Sequence, residues 1–241
     1  MTVTWEEPGW ERITAHVVRR RLPGWDCTVG LVLGAGGVLA VDAGSCLAEG
    51  AGVRAWAERT AGARVTHLAL THAHFDHVLG AGAFPDARVY GAPGVGAALT
   101  GGREELVADA VAHGLDARAA REAADALPGA VRETEGEVTL DLGGGARAVL
   151  AAVGPGHTGH DLAVLVPGDP AVVLCGDLVE ESGPPQAGPD AVPSRWPAAL
   201  DRLLALGGED ARYVPGHGAV VDAAFVRAQR DALAVRFGVS R

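Results

Sequence analysis

Residues 71–80 read THAHFDHVLG. Four side chains able to bind a metal, His72, His74, Asp76 and His77, fall within six positions of a chain that holds nine histidines in all. The run leading into them, VTHLALTH (65–72), is apolar and β-branched and reads as a strand. His72 and His74 are two apart, so both point the same way while strand geometry continues. Asp76 and His77 follow where the chain must turn, which aims them at a second point close by. Nitrogen and oxygen donors in this arrangement suit two divalent ions, zinc first and iron or manganese as alternatives.

One segment cannot fill two metal sites. Three further stretches offer the right residue types, each at an apparent strand end beside glycine: GPGHTGHD with His157, LCGDL with Asp177 and VPGHG with His217. Glycine there lets the backbone turn sharply and approach closely. Together these give five histidines and two aspartates, enough for two ions with positions open to water. His160, three after His157, is expected to support the ligands from behind. His16, His67 and His113 read as structural or surface residues, and Tyr90 and Tyr213 as core or edge residues.

These motifs resemble the metallo-β-lactamase-fold hydrolases: a VDAG aspartate (Asp42), HxHxDH at 72–77, then His157, Asp177 and His217 in that order. The resemblance spans roughly residues 15–220. It implies an α/β fold, an αββα sandwich with the metal site at one edge of the sheets. It further implies one ion on His72, His74 and His157, a second on Asp76, His77 and His217, and Asp177 bridging both. Asp42 would fix the metal loop without binding metal, and Asp76 would also orient the nucleophile as the catalytic residue. An aspartate at 177, where β-lactamases of this fold carry Cys or Ser, resembles the glyoxalase II and lactonase branches. The chain departs from glyoxalase II itself in reading GHTGH without the proline, and it ends 24 residues after His217. Flavodiiron relatives have a Glu where His74 stands, and RNase Z-type relatives bind RNA. The activity implied is hydrolysis of a thioester or lactone by water activated between two metal ions. A mononuclear iron enzyme acting on a persulfide, or a β-lactamase-like amide hydrolase, is the alternative.

Composition sets the outer bounds. With 241 residues, 48% hydrophobic and 21% charged, the chain is globular, and one domain over 1–241 is expected. A net charge of −10 argues against nucleic acid and anionic membranes as partners, which leaves a small-molecule substrate. The opening MTVTWEEPGW lacks a secretory pattern, no apolar run reaches 18 residues, and three irregularly spaced cysteines read as reduced thiols. A cytoplasmic protein is expected. The sequence contains no lysine, which excludes a P-loop or Schiff-base mechanism, and no G-x-S-x-G elbow.

Strands are expected at 13–20, 27–34, 37–44, 65–72, 146–153, 161–168, 171–178 and 211–216, in two similar halves with sheet packed on sheet. Helices are expected at 46–61, 103–126, 195–206 and 222–236, the second of them a candidate lid. The stretches 93–102 and SGPPQAGPDAVPS (182–194) read as loops. The latter is expected to form a pocket wall opposite the 103–126 helix without affecting the metals.

Overall fold

The structure is a computed structural model that describes residues 9–239, so most of the opening stretch read above lies outside the described residues. A seven-stranded sheet contains β1 (Trp10–Arg12), β2 (Val17–Arg21), β3 (Thr28–Leu33), β4 (Val38–Val41), β5 (Val65–Ala69), β6 (Arg88–Gly91) and β7 (Arg132–Glu133), neighbours in space as in sequence. A five-stranded sheet contains β8 (Glu137–Gly143), β9 (Ala146–Ala152), β10 (Leu162–Val166), β11 (Val172–Glu180) and β12 (Arg212–His217) in the same sequential manner. Helices α1 (Leu47–Ala61), α2 (Phe75–Val78), α3 (Val95–Gly101), α4 (Arg103–Ala112) and α5 (Ala117–Asp125) accompany the first sheet. Helices α6 (Trp196–Gly207) and α7 (Ala223–Phe237) accompany the second.

Strand alternation builds the layers. In β4, Val38 and Ala40 join an outer core with Val53, Trp56 and Ala57 of α1, while Leu39 and Val41 face inward. In β11, Val172 and Leu174 face inward, and Val173 and Cys175 pack under Trp196, Leu200 and Leu203 of α6. The inward residues of both sheets share one apolar layer, with Val32, Leu39 and Val41 against Leu150, Leu162 and Val164. Period-2 patterns buried on both faces demand covers on both sides, and the result is the αββα sandwich.

Within the first sheet the pairing is antiparallel to β4 and parallel from β4 onward, with α1 as the crossover. In the second, β11 and β12 are parallel, with α6 as their crossover. The carboxyl ends of β4, β5, β11 and β12 therefore gather at one edge of the sandwich, where α/β folds place ligands. Contacts between the halves close this edge: the Leu162 amide donates to the Thr71 carbonyl at 2.8 Å, and Cys27 and His217 form an isolated β-bridge.

The structure corrects several sequence expectations. The helix expected at 103–126 is two helices, α4 and α5, parted by Gly114 at φ 101° and restarted by Asp116, whose carboxylate accepts from the Arg118 and Ala119 amides. The loop expected at 93–102 contains the short helix α3. Strands β1, β6, β7 and β8 were not foreseen. β6 and β7 are too short for a period to show, and β8 exposes Glu137, Thr139 and Asp141 so that only Leu140 and Leu142 mark its inner face.

Candidate metal centre

The strand ends bring all seven sequence-predicted ligands together. Asp177 stands among the histidines: its Oδ2 lies 3.7 Å from His72 Nε2, 3.5 Å from His157 Nε2 and 3.3 Å from His217 Nε2. Its Oδ1 lies 3.1 Å from His77 Nε2. Asp76 Oδ2 sits 3.5 Å from His77 Nε2 and 3.4 Å from His217 Nε2. His74 presents Nδ1, 3.0 Å from His157 Nε2. Three convergent groups result among the described residues: His72, His74, His157 and Asp177 on one side, His77, His217 and Asp177 on the other, and Cys27, Asp76 and His77, which shares His77 with the second. The short helix α2 turns Asp76 and His77 toward the second group after extended backbone at His74. Gly216 is required for this closeness, because a Cβ there would collide with the Asp177 carboxylate.

Every histidine of the cluster has its other ring nitrogen tied to an acceptor. His77 Nδ1 is 2.9 Å from Asp42 Oδ2, His217 Nδ1 is 2.9 Å from the Trp25 carbonyl and His157 Nδ1 is 3.1 Å from the Gln186 carbonyl. His74 Nε2 is 3.1 Å from Asp190 Oδ2. His72 Nδ1 is 3.0 Å from Thr71 Oγ1, whose hydroxyl donates in turn to Asp42 Oδ2 at 2.8 Å. With one nitrogen held in this way, all five rings turn the opposite nitrogen toward the cluster, where it offers a lone pair once deprotonated. Burial pushes His72 well below the ordinary imidazole value and His157 down to about 4, so both are neutral at pH 7. Burial opposes ionisation of Asp177, but His77 and His72 hold its carboxyl well below the usual range. Burial also acts on His217, yet its hydrogen bond to Asp177 lifts it to about 9, a mark of how strongly this site favours positive charge.

The donor set fits a divalent metal. His72 Nε2 and Asp177 Oδ1 are buried and lack a hydrogen-bond partner, and such atoms are costly unless something else satisfies them. Imidazole nitrogens together with carboxylates suit zinc, iron or manganese. Asp42 lies behind the histidines and holds the chain by accepting from the Thr71 amide as well. His160 lines the same cleft but makes no hydrogen bond to the seven.

Three supports were not read from the sequence. Asp190 and the Gln186 carbonyl come from the Pro-rich loop, so that loop holds His74 and His157 as well as bounding the cleft, contrary to a role in the wall alone. The Trp25 carbonyl holds His217. Backbone acceptors and a lone aspartate in a loop leave no pattern to detect. Cys27 Sγ lies 3.7 Å from His77 Nδ1, the nitrogen turned to Asp42, and burial pushes its thiol up to about 12.

Above the cluster opens a cleft of about 990 Å³. One wall is the loop from Ser182 to Asp190, and the other is α3 and α4 through Ala98, Leu106 and Asp109, as expected for a loop facing that helix. Trp25 and Phe75 add an apolar floor, and His113, read above as structural or surface, reaches the cleft and stacks on Phe75 at 5.4 Å. No arginine is among the residues lining it.

The metallo-beta-lactamase superfamily model matches residues 22–217. Among solved structures, the DIM-1 metallo-beta-lactamase is 18% identical, with a TM-score of 0.73 over 94% of this chain and 97% of that one. A metallo-beta-lactamase from Pontibacter korlensis is 19% identical at a TM-score of 0.70, over 93% and 97%. FIM-1 from Pseudomonas aeruginosa, solved in a mono-zinc form, is 19% identical at a TM-score of 0.70, over 96% of each chain. At such identities the likeness is one of fold. No curated protein matches the chain.

Proposed function

The chain belongs to the metallo-β-lactamase superfamily, and from that premise we propose that it is a hydrolase using two divalent metal ions, zinc first among them, to cleave a small ester-like substrate such as a thioester or lactone. The observation that carries this reading is the position of Asp177 between two histidine groups, within 3.1–3.7 Å of four imidazole nitrogens. His72, His74 and His157 would hold one ion, Asp76, His77 and His217 the other, and Asp177 both. When bound, such ions supply Lewis acidity, activating water near neutral pH and polarising a carbonyl oxygen.

The chain's own groups do the rest. Asp76, next to the shared carboxylate and open to the cleft, accepts a proton from attacking water and fixes its direction. Trp25, Phe75 and Leu106 bury the acyl portion and thin the water around it. A cleft without arginine, in a chain without lysine, lacks a grip for the carboxylate of a β-lactam or for phosphate. That favours an uncharged or cationic carbonyl compound, with no nucleic acid partner. Among the described residues no helix is long and apolar enough to cross a membrane, and the three thiols are free, which supports a cytoplasmic site of action as part of the proposal.

Elemental analysis of the purified protein, with a panel of thioesters, lactones, β-lactams and phosphodiesters, tests this. The expected result is two ions per chain with thioester or lactone turnover. Asp177→Ala should lose at least one ion and lower kcat by orders of magnitude. One iron per chain with oxygen consumption on a persulfide would replace this reading by the oxygenase one.

A further inference from the structure

We infer that the cleft selects a substrate carrying a positive charge, received by Glu180 at its base and by Glu105 and Asp109 at its mouth. This rests on the hydrolase reading above and names its substrate class.

The carboxylates in the cleft divide by commitment. Asp76 and Asp177 belong to the histidine cluster, and Asp190 is engaged by His74. Glu180 differs. It lines the cleft and is only 8% exposed, yet no described residue donates to its carboxylate. Gln229, its nearest polar support, accepts from the Glu180 amide through Oε1 and donates from Nε2 to the Leu178 carbonyl, so neither end serves the carboxylate. Nor does Glu180 fall within the groups whose donor atoms converge for a metal. Its carboxylate meets the cleft rather than a donor of the protein. A cation from the substrate satisfies it.

The opposite wall agrees. Glu105 and Asp109 are four apart on α4, so they stack along one face of the helix, and both line the cleft from exposed positions. His113 lies 3.1 Å from Asp109, which leaves Glu105 uncompensated. With no arginine or lysine among the lining side chains, the carboxylates outside the histidine cluster present one sign of charge. Such a field draws cations in and holds anions off. The apolar floor between the two walls suits the hydrocarbon linking a charged end to the carbonyl.

The test compares three thioesters of equal length on the metal-loaded protein, ending in trimethylammonium, in its neutral tert-butyl isostere and in carboxylate. The cationic ester should show a kcat/KM at least about tenfold above the neutral one, with the anionic ester lowest. Glu180→Gln should lower kcat/KM for the cationic ester about tenfold more than for the neutral one, chiefly through KM. The double variant Glu105→Gln, Asp109→Asn should give a smaller loss with the same selectivity. Calorimetric titration with butyltrimethylammonium ion, compared between wild type and Glu180→Gln, reads binding without turnover, and a thermal melt confirms that the variant is folded. Equal rates for cationic and neutral esters, or equal losses for both in Glu180→Gln, overturn the inference and leave the hydrolase reading intact. Glu180-dependent binding of the cation with no ester cleaved upholds the inference and removes that reading.

Discussion

Asp42 shows how much one side chain can fix. It is 2% exposed and adopts φ 62°, a left-handed conformation that aspartate tolerates better than most residues. From there it accepts from the Thr71 amide and hydroxyl and holds His77 directly, with His72 reached through Thr71. It therefore orients one ring in each histidine group. Asp190 orients His74 alone. Asp42→Asn keeps the shape but places an amide N–H against an imidazole N–H. Affinity for both ions should fall about 10–100-fold, measured by competition with a chromophoric chelator, whereas Asp190→Asn should weaken only one class of site. Asp161 supports the same edge differently. Its Oδ1 accepts from the Thr158 amide and hydroxyl, while its Oδ2 is buried without a partner, and burial raises its carboxyl to about 7. The folded protein thus holds a proton there that the unfolded chain releases near pH 4. Stability from this group is full in acid and is lost as pH rises from about 4 to 7. Asp161→Asn should flatten that decline, gaining on the order of a few kcal/mol over wild type at pH 8 in denaturant titrations.

Among the elements, the loop between β11 and α6 carries more than its composition announces. Prolines and glycines mark it as ordered and irregular, and its placement beside the metal edge follows from its closeness to Asp177. Its carbonyl at Gln186 and carboxylate at Asp190 bear on two ligands, so deleting 186–190 should reduce metal content as well as change substrate preference. Retention of full metal content by that deletion would reduce the loop to a wall. The break between α4 and α5 is a second case. Gly114 adopts φ 101° with open space around its Cβ position, so Gly114→Ala should cost about 1–3 kcal/mol from backbone strain alone, read from chemical denaturation. Both elements also show where sequence is legible. HxHxDH and the glycine-flanked His157, Asp177 and His217 could be grouped from the sequence because metal-binding side-chain types at strand ends stand out, and the structure brings them together. The strands β3, β4, β10 and β11 were readable because burial on both faces leaves nearly unbroken apolar runs. The supports were not, since the Trp25 and Gln186 carbonyls could belong to any residue type. Helical periodicity in 103–126 likewise ran through Gly114 without showing that the axis turns there.

At the scale of the whole molecule, the two sheets meet through one apolar layer and one polar edge. The layer holds Leu39, Val41, Leu150, Leu162, Val164 and Leu174. The edge draws His72, His74, Asp76 and His77 from beyond β5 in one half, and His157, Asp177 and His217 from the other. Metal ions held there would link the halves at a place where the apolar layer does not reach. Because the seven side chains converge only in the folded chain, ions held there would bind the native state and stabilise it by mass action, about 4 kcal/mol at a thousandfold excess over Kd. For a chain of this size that corresponds to a Tm shift of roughly 10 °C. Treatment with a strong chelator, verified by elemental analysis, should lower Tm by that order, and readdition of zinc should restore it. Leu150→Ala in the apolar layer should cost about 2–5 kcal/mol with or without metal. Hydrogen exchange separates the two contributions. Chelation should speed exchange at the amides of 71–78 and of Val214, Gly216 and His217 while leaving β9 and β10 protected, and Leu150→Ala should do the reverse. An unchanged Tm and exchange pattern after verified metal removal would mean that the apolar layer alone holds the halves together.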